Sequence, residues 1–511
     1  MKRIFCLVSA ILLSACNDNQ NTVDVVVSTV NDNVIENNTY QVKPIDTPTT
    51  FDFYSWIQTC GTPILKDDEK YSLSFDFVAP ELDQDEKFCF EFTGDVDGKR
   101  YVTQTNLTVV APTLEVYVDH ASLPSLQQLM KIIQQKNKYS QNERFISWGR
   151  IGLTEDNAEK LNAHIYPLAG NNTSQELVDA VIDYADSKNR LNLELNTNTG
   201  HSFRNIAPIL RATSSKNNIL ISNINLYDDG SAEYVSLYNW KDTDNKSQKL
   251  SESFLVLKDY LNGISSEKPN GIYSIYNWHQ LYHSSYYFLR KDYLTVETKL
   301  HDLREYLGGS LKQMSWDGFS QLSKGDKELF LNIVGFDQEK LQQEYQQSEL
   351  PNFVFTGTTT WAGGETKEYY AQQQVNVVNN AINETSPYYL GREHDLFFKG
   401  HPRGGIINDI ILGSFNNMID IPAKVSFEVL MMTGMLPDTV GGIASSLYFS
   451  IPAEKVSFIV FTSSDTITDR EDALKSPLVQ VMMTLGIVKE KDVLFWSDLP
   501  DCSSGVCIAQ Y

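Results

Sequence analysis

From Thr113 to Trp496 the chain keeps returning to one pattern: a short apolar run of strand length, then a stretch with apolar residues at helical spacing. Leu114-Glu-Val-Tyr-Val-Asp119 reads as a strand, and Pro124 then opens a helix in which Leu126, Leu129, Met130 and Ile133 fall on one face. Ile219-Leu-Ile-Ser-Asn-Ile-Asn-Leu226 is a further buried strand, ending in Tyr227-Asp-Asp-Gly230. A second series is expected to begin near Glu328 with strands over residues 329–334 and 352–355. It continues with helices over 368–381, 426–432 and 477–485 and strands over 395–398, 456–461 and 492–496. Strands that alternate with helices pair in parallel, with helices on both faces of the sheet. Two such series predict an α/β chain of two Rossmann-like halves, with a ligand in the cleft between them. At 511 residues the chain is also too long for one core of ordinary size.

The region before Val110 reads differently. Tyr71-Ser-Leu-Ser-Phe-Asp-Phe77 and Phe88-Cys-Phe-Glu-Phe92 alternate strictly, the mark of half-buried antiparallel strands, and predict a small immunoglobulin-like β-sandwich over residues 16–110. Tyr54, Trp56 and Phe88 are expected in its core rather than on a carbohydrate platform. At the amino terminus Lys2 and Arg3 precede an apolar stretch over 4–13, too short for a spanning helix of about 20 residues and read as a signal peptide ending at residue 15. Leu13-Ser-Ala-Cys16 resembles a lipobox, which makes Cys16 the lipidated residue of a protein anchored in the cell envelope. Asn17 stands where an inner-membrane retention aspartate would be, which favours the outer membrane. Four cysteines remain outside the cytoplasm, and disulfides Cys60 with Cys89 and Cys502 with Cys507, across Ser503-Ser504-Gly505, are expected. No Cys or His cluster has zinc-ligand spacing, so no metal is expected. A net charge of -23 repels phosphodiesters and argues against a nucleic-acid partner.

Three short motifs carry chemistry. Asp395-Leu-Phe-Phe-Lys-Gly-His-Pro-Arg-Gly-Gly405 brings a lysine, a histidine and an arginine out together at a strand end, with Gly404 and Gly405 expected to let the backbone approach a ligand. Gly441-Gly442 before Ser445-Ser446 is expected to be a glycine turn entering a helix, where N–H groups and hydroxyls would suit a phosphate. Asp228-Asp229-Gly230 ends a strand in the first half, and adjacent carboxylates there suit a base. Glu428, inside an apolar helix, either faces solvent or accepts from a ligand.

Asp228-Asp229-Gly230, Lys399-Gly-His-Pro-Arg403, Phe427-Glu428 and Ala444-Ser445-Ser446 together resemble, in order and spacing, the bacterial sialyltransferases of glycosyltransferase family eighty. The resemblance runs from Thr113 to the carboxyl terminus and implies a GT-B fold. The first Rossmann-like domain would span 111–356, completed by 497–511, and the second 357–496. It further implies metal-independent, inverting transfer of sialic acid from CMP-sialic acid to a terminal galactoside. Asp229 would be the base and His401 the group that acts on the departing phosphate. Donor contacts would come from Gly357, Thr358, Thr359, Thr360, Trp361, Lys399, Gly400, Pro402, Glu428, Ser445 and Ser446. Acceptor contacts would come from His201, Ala232 and Trp361. The small Ala232 beside the base leaves room for a projecting 6-hydroxyl, so an alpha-2,6 product is expected; a monomer is expected as well. An alpha-2,3 enzyme, another GT-B nucleotide-sugar transferase and a surface carbohydrate-binding protein are the alternatives.

Overall fold

A computed structural model of the chain describes residues 24–508 other than 139, 270, 348, 360–365, 465 and 504. The signal segment, Cys16, Thr360, Trp361 and Ser504 lie outside the described residues.

Alternation in Glu86–Val96 puts Phe88, Phe90 and Phe92 on one face, and all three are buried. This strand pairs with Lys99–Val110 and Phe53–Cys60, and Asp24–Ile35 adds a parallel edge, giving a four-stranded sheet. A two-stranded sheet of Thr39–Val42 and Phe75–Val78 supplies Phe75 and Phe77 to the same core. Trp56 is buried among these rings, with its indole N–H donating to Ser72 O at 2.9 Å, and Tyr54 stacks on Phe92. These aromatics are core, not a sugar platform. The sandwich meets the rest of the chain through Arg190, which bonds Glu36 at 2.6 Å and Asp85 at 3.0 Å. Both disulfides form, Cys60 with Cys89 and Cys502 with Cys507.

The remainder is built on two large all-parallel sheets, the GT-B arrangement, with a small antiparallel pair of Leu168–Ala169 and Asn172–Thr173. The first runs Leu311–Gln313, Ser284–Phe288, Ile219–Tyr227, Leu191–Asn198, Thr113–Asp119, Glu143–Trp148, Ala163–Ile165. The second runs Ile419–Ile421, Asp395–Lys399, Asn352–Thr356, Thr439–Ile443, Val456–Phe461, Val493–Phe495. Near-continuous apolar strands such as Asn352–Thr356 are what a sheet covered on both faces requires. Among the described residues no helix is long and apolar enough to cross a membrane.

Three expectations are corrected. Residues 329–334 are not a strand: they end the helix Lys324–Val334, which Ser323 caps through the Asp326 N–H and Gly335 closes in the left-handed region. A short apolar run looks alike in either state, and the caps decide. A domain boundary after residue 356 is also wrong, since Asn352–Thr356 is a central strand of the second sheet. Finally, the carboxyl-terminal segment does not complete the first lobe. Asn376 and Asn380, on the second-lobe helix Lys367–Ile382, donate to Pro500 O at 3.1 and 2.9 Å, and the Cys502 N–H donates to Asn376 Oδ1 at 3.0 Å. The crossing element is instead the helix Pro477–Thr484, packed on Ser231–Lys241 of the first lobe, with Arg290 donating to Leu485 O at 3.3 Å.

Candidate active site

Neighbouring strands of the first sheet end side by side, so Asp119-His120, Asn198 to His201 and Asp228-Asp229 emerge together. Asn198 joins two of these ends. Its amide donates to Asp119 Oδ1 at 2.9 Å while its oxygen accepts from the His201 N–H at 2.7 Å. The His120 and His201 rings lie 4.1 Å apart, and burial with mutual repulsion takes His201 down to about 4. Both imidazoles are therefore neutral at physiological pH.

The adjacent aspartates divide their work. Asp228 is fully buried and accepts from Gly230 N at 2.6 Å, Leu289 N at 3.0 Å and the Tyr234 hydroxyl. It fixes the turn. Asp229 is only partly buried, its pKa pushed up to about 6 by burial, with Arg150 opposing the rise. Behind it Glu233, hydrogen-bonded by Tyr276, is pushed up to about 8 by burial and by Asp228. Ala232 is exposed on the first turn of the same helix.

In the second lobe the strand Asp395–Lys399 delivers the basic turn as its sequence implies. The Lys399 ammonium donates to Ala423 O at 2.8 Å and Gly400 O at 3.3 Å, and burial lowers it to about 8. His401 is half-buried, with Pro402 exposed beside it. The Arg403 N–H donates to His401 Nδ1 at 3.1 Å, so Nε2 is the nitrogen that can donate from the neutral ring. Burial first, then Arg150, Arg403 and Lys399, lower its pKa. The glycines here leave room for a neighbour: a Cβ on Gly400 or Gly404 would lie 2.5 or 2.0 Å from the Asn408 amide group, which itself donates to His401 O at 3.0 Å. Asn408 thus orders the turn.

Glu428 faces inward, accepting from Ser450 Oγ at 2.7 Å and from Ser426 Oγ. Gly441 and Gly442 are not a turn but part of the strand Thr439–Ile443, where a Cβ on Gly442 would sit 2.4 Å from Thr356 O. Ser445 and Ser446 follow at the start of the 3-10 helix Ser446–Phe449, shorter than the helix expected there. The loop after Asn352–Thr356 is held by Gln374, which accepts from Thr358 N at 2.8 Å and donates to Thr358 O at 3.1 Å. Gly357 packs on the Phe398 ring and Thr359 is half-buried.

The two sets meet. A Cβ on Gly230 would lie 3.3 Å from Ser446 Cβ, and Arg150 acts electrostatically on both Asp229 and His401. A carboxylate, an arginine, a neutral imidazole and a serine pair thus line one cleft, which suits proton removal on one side and an anionic leaving group on the other. Arg150, His120, Asn198 and Glu233 are absent from the sequence-based site; the signal for the first three is position at or just beyond a strand's carboxyl end, whereas Glu233 lies inside the helix Ser231–Lys241. Among the described residues no group of three or more His, Cys, Asp or Glu could hold a metal ion.

The family described as sialyltransferase PMO188 matches residues 114–491. No match to a curated protein is found. A sialyltransferase from Photobacterium damsela is 67% identical over 93% of this chain and 100% of its own, with a TM-score of 0.90. A Photobacterium 2,6-sialyltransferase solved with CMP and lactose is 56% identical over 96% of this chain and 100% of its own, with a TM-score of 0.82. An alpha/beta-galactoside alpha-2,3-sialyltransferase from Photobacterium phosphoreum is 34% identical over 76% of this chain and 99% of its own, with a TM-score of 0.65. With one parallel sheet carrying Asp229 and the other His401, as the motifs require, the chain belongs to the PMO188 family of sialyltransferases, glycosyltransferase family eighty.

Proposed function

We propose that the enzyme transfers sialic acid from CMP-sialic acid to the 6-hydroxyl of a terminal galactose, with inversion and without a metal. The observation that carries this reading is the close approach of the two motif-bearing turns, where a Cβ on Gly230, next to Asp229, would lie 3.3 Å from Ser446 Cβ; the electrostatic effect of Arg150 on both Asp229 and His401 supports it. Asp229, ionised above about pH 6, takes the hydroxyl proton as the galactose oxygen bonds to the anomeric carbon of sialic acid. The bond from that carbon to the phosphate oxygen breaks on the opposite face, which inverts configuration. The electron pair leaves with CMP, where His401 Nε2–H donates to the phosphate and Ser445 and Ser446 add hydroxyl donors. Lys399 and Glu428, buried beside one another, would form the wall against which the nucleotide rests.

The 6-hydroxyl is favoured by the small Ala232 on the turn after the base, and by a 56% identical 2,6-sialyltransferase bound to CMP and lactose. The enzyme would be held to the outer membrane through Cys16, an assignment that rests on the lipobox and on Asn17 after it. Incubation with CMP-sialic acid, lactose and excess EDTA, with linkage read by NMR, tests the reading. A 6-linked product supports it, a 3-linked product overturns the linkage, and CMP release only when metal is restored overturns the metal-free mechanism.

A further inference from the structure

The short helix Ser446–Phe449 touches both lobes, three of its four side chains each in a different way. Ser446 lies against Gly230. Tyr448 ties the helix to its own sheet, its hydroxyl 2.8 Å from Thr356 Oγ1. Phe449 reaches across the cleft and stacks face to face on Tyr234, with ring centroids 4.9 Å apart and planes 7° from parallel. Both rings are buried.

Tyr234 is itself fixed at the hydroxyl, which donates to Asp228 and accepts from the Arg290 N–H at 2.6 Å. Asp228 in turn holds the Gly230 N–H, and so sets the turn that carries Asp229. A continuous route therefore runs from the serine pair through Phe449, Tyr234 and Asp228 to the residue beside the base. The crossing helix Pro477–Thr484 also packs on the helix Ser231–Lys241 that carries Tyr234, a second connection between the lobes. Loss of the ring stack would loosen the cleft without parting the lobes.

We propose that the Tyr234–Phe449 stack is a latch that couples occupancy of the donor site to the readiness of the acceptor site, with Tyr234 and Phe449 as positioning residues. This rests on the reading of Ser445, Ser446 and Asp229 given above. A ring that only filled space would be replaceable by leucine. A latch needs the flat face on the second-lobe side and the hydroxyl on the Asp228 side, and the two can be removed separately.

The test is titration calorimetry of lactose with and without saturating CMP, on the full chain and on Phe449→Leu, Tyr234→Leu and Tyr234→Phe, each checked by thermal unfolding. The ratio of lactose affinities with and without CMP measures the coupling. Phe449→Leu and Tyr234→Leu should lower that ratio by roughly two- to tenfold, the worth of one aromatic pair. Tyr234→Phe keeps the stack and should retain the ratio while lowering kcat, because Asp228 loses its donor. Should Phe449→Leu fail to fold, Phe449→Met serves in its place. Parental coupling in the folded leucine or methionine variants, or loss of coupling in Tyr234→Phe, overturns the latch. A parent chain that binds no CMP overturns the functional reading and this inference with it.

Discussion

The backbone N–H of Arg403 donates to His401 Nδ1 at 3.1 Å, so the neutral ring carries its proton on Nε2. The Arg150 guanidinium helps to keep that ring neutral and, from the other side, lowers the pKa of Asp229. Arg150→Ala removes one cation from both groups, and the signs follow directly. The His401 pKa rises towards its usual value, and the acidic limb of kcat/KM, set by Asp229 near pH 6, moves to higher pH. Nitrogen-15 NMR of the labelled imidazoles should find the Nε2–H tautomer at pH 7.5 in the parent; an Nδ1–H tautomer would contradict the assignment.

Glu233 gives a stability prediction. Its carboxyl has an ordinary pKa of 4.5 and one of about 8 in the fold, so folding retains a proton between those values. Stability from this group is complete below pH 4.5 and is lost as pH rises towards 8. Glu233→Gln keeps a neutral side chain for the Tyr276 hydroxyl to bond. Its Tm relative to the parent should therefore be higher at pH 8.5 than at pH 5. An equal difference at both pH values would mean that Glu233 is ionised in the fold.

How much of this was legible in the sequence depended on whether the determinant was local. The strand Asp395–Lys399 and the basic turn after it are set by neighbouring residues and were read correctly. The same holds for the buried phenylalanines of Glu86–Val96. Gly441 and Gly442 were misread as a turn because the reason for them is a neighbouring strand: the backbone of Thr356 leaves no room for a side chain. At Gly400 and Gly404 the sequence shows the need for glycine but not the packing behind it, since the Asn408 amide fills the space that a side chain would take. Arg150 stands two residues past a strand end, a local signal, but its effect on Asp229 and His401 is not local, since those residues are some 80 and 250 positions away in sequence.

Among the described residues the β-sandwich supplies none of the site residues named above, and charged and polar contacts of Arg190, Asn189 and Gln141 join it to the first lobe. A chain beginning near Ala111 should keep at least a substantial part of the transferase activity. Loss of all activity in a soluble, folded truncation would show that the sandwich shapes the cleft.

Ala232 is exposed on the turn after the base. Ala232→Met should fill the space proposed for the projecting 6-hydroxyl arm and shift product towards the 3-linkage, read by NMR of sialyllactose. An unchanged linkage would assign regioselectivity to another wall.

The central claim is that Asp229 acts on the acceptor and His401 on the donor phosphate, and donor hydrolysis without acceptor separates the two roles. In a side-by-side assay of CMP release from CMP-sialic acid, with and without lactose, Asp229→Asn should lose transfer by roughly 10²- to 10⁴-fold, as for general-base loss, while CMP binding stays near parental. His401→Ala should slow transfer and acceptor-free hydrolysis together. Strong loss of CMP binding in Asp229→Asn, or parental hydrolysis in His401→Ala, would contradict the account.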